Sequence, residues 1–127
     1  MVGIVIVSHS SDLANGLVEL ASQLGGGEVG IEAAGGGPNG DLGTSDERVA
    51  AAIERAERGA GVVVLGDLGS AFLTARHVLE HRDANSVRLV DAPLVEGTIA
   101  AVVAASAGQG LDEVVSAAEE TRGASKF

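Results

Sequence analysis

The chain has 127 residues, a length typical of one domain with its own hydrophobic core. Its formal net charge of −10 argues against nucleic acid and anionic membrane surfaces as partners. The lack of cysteine excludes disulfides and thiolate chemistry and suits the reducing cytoplasm, where we expect the protein to act. The N-terminus has no basic region of a signal peptide, and no uncharged apolar run reaches the roughly 18 residues that span a bilayer.

Strand and helix patterns alternate along the first half of the chain. The apolar run at residues 4–7 predicts a buried first strand, and a helix is expected at about 12–24. A short second strand follows at 29–33, and then a glycine-rich loop at 35–43. The first helix is predicted to turn one row of residues inward: Leu13, Leu17, Leu20, Ala21 and Leu24.

The second half continues the alternation. Residues 44–47 fit a capping box with Thr44 at the start of a second helix that runs to about 58. The run at 62–65 predicts a central strand, and Ser70 is expected to cap a third helix. A fourth strand at 87–90 precedes two helices at about 95–107 and 111–121. The pattern predicts an α/β fold with an open, mainly parallel four-stranded sheet and helices on both faces. We expect one domain over residues 1–122 and a frayed tail over 123–127.

His9 directly follows the first strand, in the segment Ser8-His9-Ser10-Ser11. Ligands of open α/β sheets bind at the carboxyl ends of the strands, and the N-terminus of the next helix favours anions. A neutral imidazole at such a site is equipped to accept a phosphoryl group and pass it on. The alternative is a structural histidine, but the small neighbours of His9 leave its ring uncovered.

Asp67 follows the third strand and is expected at the same edge of the sheet as His9. Its carboxylate would accept a hydrogen bond from one imidazole nitrogen, which fixes the tautomer and leaves the other nitrogen as the nucleophile. The alternative is that Asp67 only marks the start of the third helix. Four residues are predicted to surround the phosphoryl oxygens: Ser10, Thr44, Gly69 and Ser70.

Two other motifs have simpler explanations. Residues 35–40 fit G-x-G-x-x-G, but they follow the second strand, contain a proline and do not open into a helix. We therefore expect a mobile flap there and not a dinucleotide site. His77 and His81 have the i, i+4 spacing of some metal sites, yet no further ligand is evident nearby, so we interpret them as a solvated helix face. Neither a cofactor nor a metal is predicted.

Four segments carry a family resemblance: Val5-Ile6-Val7-Ser8-His9-Ser10, Gly43-Thr44-Ser45, Gly66-Asp67-Leu68-Gly69-Ser70-Ala71 and Ala92-Pro93-Leu94-Val95-Glu96-Gly97-Thr98. Together they resemble DhaM, the family of phosphotransfer subunits of dihydroxyacetone kinases that depend on the phosphoenolpyruvate phosphotransferase system (PTS). The resemblance spans nearly the whole chain and implies the fold of mannose-family enzyme IIA domains. It also implies that His9 receives phosphate from the carrier HPr and passes it to ADP on the DhaL subunit. DhaL then phosphorylates dihydroxyacetone, a reaction of glycerol metabolism. Because the chain ends before any donor domain, the resemblance implies a separate donor.

Two other functions stay open from the sequence. A mannose-type enzyme IIA that feeds a sugar permease would resemble this chain, and assays of phosphate transfer to each partner would separate the two. A receiver-like or nucleotide-binding signalling module would use Asp67 as the phosphate acceptor. The sequence argues against that module, because it lacks an acidic pair after the first strand and a P-loop.

The predicted fourth helix is apolar on every side, with Glu96 as its only strongly polar residue. A helix of this kind must be buried all round, so we expect a homodimer built around it. Dimerisation of the resembled family agrees with this expectation. The alternative is that the fifth helix or the tail covers its second face within one monomer.

Overall fold

Strands and helices alternate through most of the described chain, which covers residues 1–25, 27–83 and 85–127 of the computed structural model. The elements are β1 (Gly3–Ser8), α1 (Ser11–Leu24), β2 (Ile31–Gly35), α2 (Asp46–Ala56), β3 (Val62–Gly66), α3 (Gly69–Leu79), β4 (Val87–Leu89), α4 (Leu94–Ser106), α5 (Leu111–Glu120) and a 3₁₀ turn at Thr121–Gly123.

The strands form one parallel sheet in the order β2-β1-β3-β4. β1 and β3 are buried along their whole length because helices cover both faces of the sheet, and they are apolar except for Ser8. Ile4 contributes to the core beneath α4 and α5, whereas Val5 and Val7 pack on the side of α2 and α3. The predicted four-stranded α/β fold is confirmed.

The order of the strands creates the place for a site. From β1 the chain moves to β2 on one side and then crosses to β3 on the other side. Open α/β sheets form their ligand crevice where the strand order reverses in this way. The register pairs Val7 with Gly66, so the residues that follow β1 and β3 emerge side by side.

α1 packs against the sheet differently from the prediction. Its buried residues are Ala14, Leu17 and Ala21. The predicted row was wrong at three leucines, which are 46–56% exposed: Leu13, Leu20 and Leu24. Ala14 and Ala21 let α1 lie close to the sheet, and a full row of leucines would hold the helix further away.

The predicted caps of two helices were also wrong. The N-cap of α2 is Ser45, which accepts a hydrogen bond from the Arg48 amide, so Thr44 lies outside the helix. α3 begins at Gly69 with Leu68 at its N-cap and no side-chain cap. The hydroxyls of Thr44 and Ser70 therefore serve other contacts.

α4 is buried within the chain on one side only. Its buried residues include Ala101, Val102 and Ala105, which pack into the core with residues of α5. Val95 and Val103 remain 47% and 51% exposed. The expected dimer around α4 therefore stays a prediction. None of the helices in the described residues is both long and apolar enough to cross a bilayer.

Candidate functional site

His9 lies just beyond the end of β1, between two polar side chains. Its Nδ1 is 2.9 Å from Oδ1 of Asp67, and its Nε2 is 2.5 Å from Oγ of Ser70. An ionised carboxylate only accepts hydrogen bonds, so Nδ1 carries the proton and Nε2 keeps its lone pair. Ser70 then donates to Nε2. The side chain of His9 is 23% exposed, which leaves the ring accessible from outside.

Asp67 is held by four donors. Its Oδ2 accepts from the Ser8 hydroxyl at 2.8 Å and the His9 amide at 3.0 Å, and its Oδ1 accepts from the His9 ring and the Leu68 amide. Partial burial raises the pKa of Asp67, but the hydrogen bonds from His9, Leu68 and Ser8 together outweigh it and place the pKa below its ordinary value. The carboxylate is therefore ionised at neutral pH and faces the imidazole with a fixed negative charge.

Ser8 belongs to the site although the sequence analysis treated it only as a small neighbour of His9. It is completely buried, and its Oγ both donates to Asp67 and accepts from the Ser10 amide at 3.0 Å. This one hydroxyl ties the end of β1 to the carboxylate and to the start of α1. A hydroxyl at the end of an otherwise apolar buried strand was the available signal, since buried polar groups need partners.

The four residues predicted around the phosphoryl group all lie on segments that meet at His9. Ser10 caps α1 by accepting from the Leu13 amide at 3.2 Å, and Gly69 opens α3 directly before Ser70. Of the four, Ser70 has the direct contact with the His9 ring. Thr44 follows Gly43, whose amide donates to the His9 carbonyl oxygen at 3.0 Å, and its own hydroxyl is 2.6 Å from that of Thr74.

Gly35 brings the glycine-rich loop close to the start of α1. A Cβ at Gly35 would lie 2.7 Å from Cα of Ser11, so only glycine fits this approach without displacement. The carbonyl oxygen of Gly35 accepts from the guanidinium of Arg48 at 3.1 Å. Arg48 comes from α2, so this bond ties the end of β2 to that helix.

His77 and His81 are both exposed and line one shallow depression with Asp46, although α3 ends at Leu79 and His81 follows in a turn. Nδ1 of His77 is 2.6 Å from Oδ2 of Asp46, and both side chains are more than half exposed. Within the described ranges, no group of three or more His, Cys, Asp or Glu residues is arranged to hold a metal ion.

The arrangement around His9 is suited to reversible transfer of a phosphoryl group. Attack by the Nε2 lone pair on phosphorus would leave a ring with a proton on Nδ1 and a positive charge, which the Asp67 carboxylate stabilises. The N-termini of α1 and α3 both lie at this edge, and their partial positive charges favour the incoming anion. The first turn of α3 contains no acidic residue, whereas that of α1 contains Asp12.

The parallel sheet, with a histidine just beyond the carboxyl end of β1, defines a domain of the enzyme IIA type. The family described as "PTS system fructose IIA component" matches residues 3–115, and the chain belongs to this family. A solved structure of the phosphotransferase system component EIIA from Streptococcus agalactiae has the same fold, with a TM-score of 0.73 at 18% identity. The alignment covers 100% of this chain and 98% of that structure.

Curated relatives indicate which kind of IIA protein the chain resembles. The chain is 44% identical over 121 residues to the phosphoryl donor subunit DhaM of PEP-dependent dihydroxyacetone kinase from Klebsiella michiganensis, covering 91% of this chain and 26% of that protein. It is 37% identical over 106 residues to the phosphoryl donor subunit DhaM of PEP-dependent dihydroxyacetone kinase 2 from Listeria innocua, covering 81% of this chain and 85% of that protein. The chain thus spans about a quarter of the Klebsiella relative and matches most of the shorter Listeria one. The predicted resemblance to DhaM is confirmed.

Proposed function

We propose that this domain carries a phosphoryl group on Nε2 of His9 and acts as the phosphoryl donor subunit of a dihydroxyacetone kinase. The observation that carries the proposal is the pair of contacts on one imidazole ring. Nδ1 is held by Asp67 at 2.9 Å, and Nε2 faces Ser70 at the accessible sheet edge. The similarity to DhaM subunits supports the same role.

In the proposed reaction, phosphorylated HPr presents its phosphoryl group in line with Nε2 of His9. The Nε2–P bond forms as the bond between phosphorus and the HPr nitrogen breaks, and that electron pair returns to the donor ring. In the second step an oxygen of the terminal phosphate of ADP on DhaL takes the phosphoryl group, and the Nε2 lone pair is restored. The ATP formed on DhaL phosphorylates dihydroxyacetone, in the cytoplasm and as part of glycerol metabolism. Ser10, Thr44, Gly69 and Ser70 surround the phosphoryl oxygens in this proposal.

A second candidate is a sugar-transport enzyme IIA, which membership of the PTS fructose IIA component family favours. It would accept phosphate on the same His9 but deliver it to the IIB part of a membrane permease. The two functions differ only in the acceptor, so the acceptor decides between them.

The test is a stepwise reconstitution with purified proteins. The chain is first incubated with enzyme I, HPr and phosphoenolpyruvate, and the gain of one phosphoryl group is measured by intact-mass spectrometry. We then add either DhaL with ADP, DhaK and dihydroxyacetone, or a mannose-type IIB domain. Loss of the phosphoryl group only to the DhaL mixture supports the proposal, whereas loss only to IIB supports the sugar-transport alternative. No labelling in the first step contradicts both.

We also propose that two copies of the chain associate around α4. Val95, Ile99 and Val103 follow one another at every fourth position of this helix, so they lie on one face, and Val95 and Val103 are 47% and 51% exposed. A row of exposed apolar side chains is a typical surface for association. Light scattering at micromolar concentration is expected to give twice the monomer mass, and Val103→Asp to give the monomer. A monomeric mass for the unmodified chain contradicts this part of the proposal.

A further inference from the structure

Two threonine hydroxyls meet one helical turn beyond Ser70. Oγ1 of Thr44, in the loop before α2, is 2.6 Å from Oγ1 of Thr74 on α3, and the contact is partly buried. Thr74 lies four residues after Ser70, so the two side chains are neighbours about 5–6 Å apart on one face of α3. Thr44 follows Gly43, which is bonded to the backbone of His9. The threonine pair therefore lies next to Ser70, on the side of the site where the glycine-rich loop ends.

The two hydroxyls hold two protons, and their mutual hydrogen bond uses one of them. The cap of α2 is supplied by Ser45, so the Thr44 hydroxyl is not needed there. If Thr74 donates to Thr44, the proton of Thr44 is left to point away from α3. In that arrangement the two groups form a chain of hydrogen bonds in which each bond polarises the next.

We propose that Thr74 is a positioning residue that donates a hydrogen bond to Oγ1 of Thr44 and thereby directs the Thr44 proton at an oxygen of the phosphoryl group on His9. The inference rests on the proposed function and adds a residue to it. Without Thr74, the Thr44 hydroxyl rotates freely and must lose that freedom when it donates to the phosphoryl oxygen. The contact with Thr74 fixes the orientation of the hydroxyl before this hydrogen bond forms. Thr74 itself touches neither His9 nor the phosphoryl group.

The single variants measure each hydroxyl separately. Valine has the shape of threonine without the hydroxyl, so Thr44→Val is expected to slow phosphoryl transfer from HPr to His9 by about 10-fold, the effect of one hydrogen bond to a charged group. Thr74→Val is expected to slow it by about fivefold, because Thr44 keeps its hydroxyl but loses its orientation. Thr74→Ser retains the donor and is expected to transfer at nearly the normal rate.

The double variant separates positioning from a structural effect. If Thr74 acts only through Thr44, the pair Thr44→Val and Thr74→Val together is no slower than Thr44→Val alone. Independent effects would instead multiply to about 50-fold, and that result overturns the inference. Single-turnover rates measured by rapid quench with phosphorylated HPr give these numbers, and thermal unfolding reports whether each variant is folded.

A matched control is Thr121→Val, which removes a hydroxyl that bonds to the Ala118 carbonyl oxygen at 2.6 Å in the turn after α5. It is expected to leave the transfer rate unchanged. If Thr74→Val fails to fold, the comparison of Thr74→Ser with Thr74→Ala serves in its place. Labelling of the unmodified chain together with a normal rate for Thr74→Val overturns this inference alone, whereas no labelling of the unmodified chain overturns the proposed function.

Discussion

Two histidine–carboxylate pairs occur in the part of the chain that the structure describes, and they differ in almost everything except the contact itself. In both, Nδ1 of the ring meets a carboxylate oxygen, at 2.9 Å for His9 and Asp67 and at 2.6 Å for His77 and Asp46. The shorter contact is the more open one: its side chains are 64% and 52% exposed, against 23% and 16% for the first pair. The distance alone therefore does not identify the functional pair.

The surroundings of each pair explain the difference. Asp67 is fixed by the Ser8 hydroxyl and by two backbone amides in addition to the His9 ring. His9 lies at the N-terminal end of α3, whereas His77 lies in the last turn of the same helix. The helix dipole favours an anion at the first position and disfavours one at the second. The dipole of α3 thus favours a phosphoryl group near His9 and disfavours one near His77.

The largest expected effect of this difference is on labelling. His9→Gln should abolish phosphorylation by enzyme I, HPr and phosphoenolpyruvate, because the nucleophile is gone, while His77→Gln should be labelled like the unmodified chain. Intact-mass spectrometry of both variants measures this, and the label should be lost in mild acid, as for a phosphoimidazole. A label that remains on the His9→Gln chain would show that another residue is the acceptor.

The second largest effect is expected on the transfer rates of variants of the two carboxylates. Asp67→Asn removes the charge that stabilises the His9 ring and fixes its tautomer, so we expect transfer to slow by about 100-fold or more. Asp46→Asn should change the rate by less than about twofold, since its partner is not in the site. Single-turnover rates with phosphorylated HPr compare the two. Equal transfer rates for Asp67→Asn and Asp46→Asn would contradict the special role of the His9–Asp67 pair.

The pH dependence of stability provides a third comparison. The pKa of Asp67 is lower in the folded protein than its ordinary value of about 4. The carboxylate therefore stabilises the fold fully above that ordinary value, and the stabilisation is lost as the pH falls through the lower, folded pKa. The difference in thermal stability between the unmodified chain and Asp67→Asn should shrink as the pH falls below about 4. Ser8→Ala removes one donor that lowers the folded pKa of Asp67, so in that variant the loss should be smaller and complete at a higher pH. A difference that is the same at every pH would contradict both expectations.

The smallest expected effect is on the stability of the exposed pair. His77→Gln should change the free energy of unfolding by less than about 1 kcal/mol, because exposed ion pairs contribute little and salt screens them. Urea unfolding at low and high salt measures the change. A loss of 2 kcal/mol or more would mean that His77 has a larger structural role than its exposure indicates.

The sequence predicted the sheet and the central pair of the site because both depend on local patterns. The apolar runs of β1 and β3 end at His9 and Asp67, and parallel strands bring such ends together. It predicted the inward face of α1 only in part: Leu17 and Ala21 are buried as expected, but Ala14 takes the place that the pattern gave to further leucines. It also missed Thr74, which on the sequence is one polar residue on a helix surface. The role we propose for Thr74 depends on a contact with a loop 30 residues earlier in the chain.

The separation of 58 residues between His9 and Asp67 has a consequence for synthesis. A growing chain that has made only β1, α1 and β2 already contains the histidine, but not the strand that carries its carboxylate. Contacts between such distant residues form late, because the intervening chain must first be ordered. The ring would therefore be oriented for the proposed phosphoryl transfer only when β3 has joined β1, and an unfinished or cleaved N-terminal half would carry an imidazole without the group that orients it.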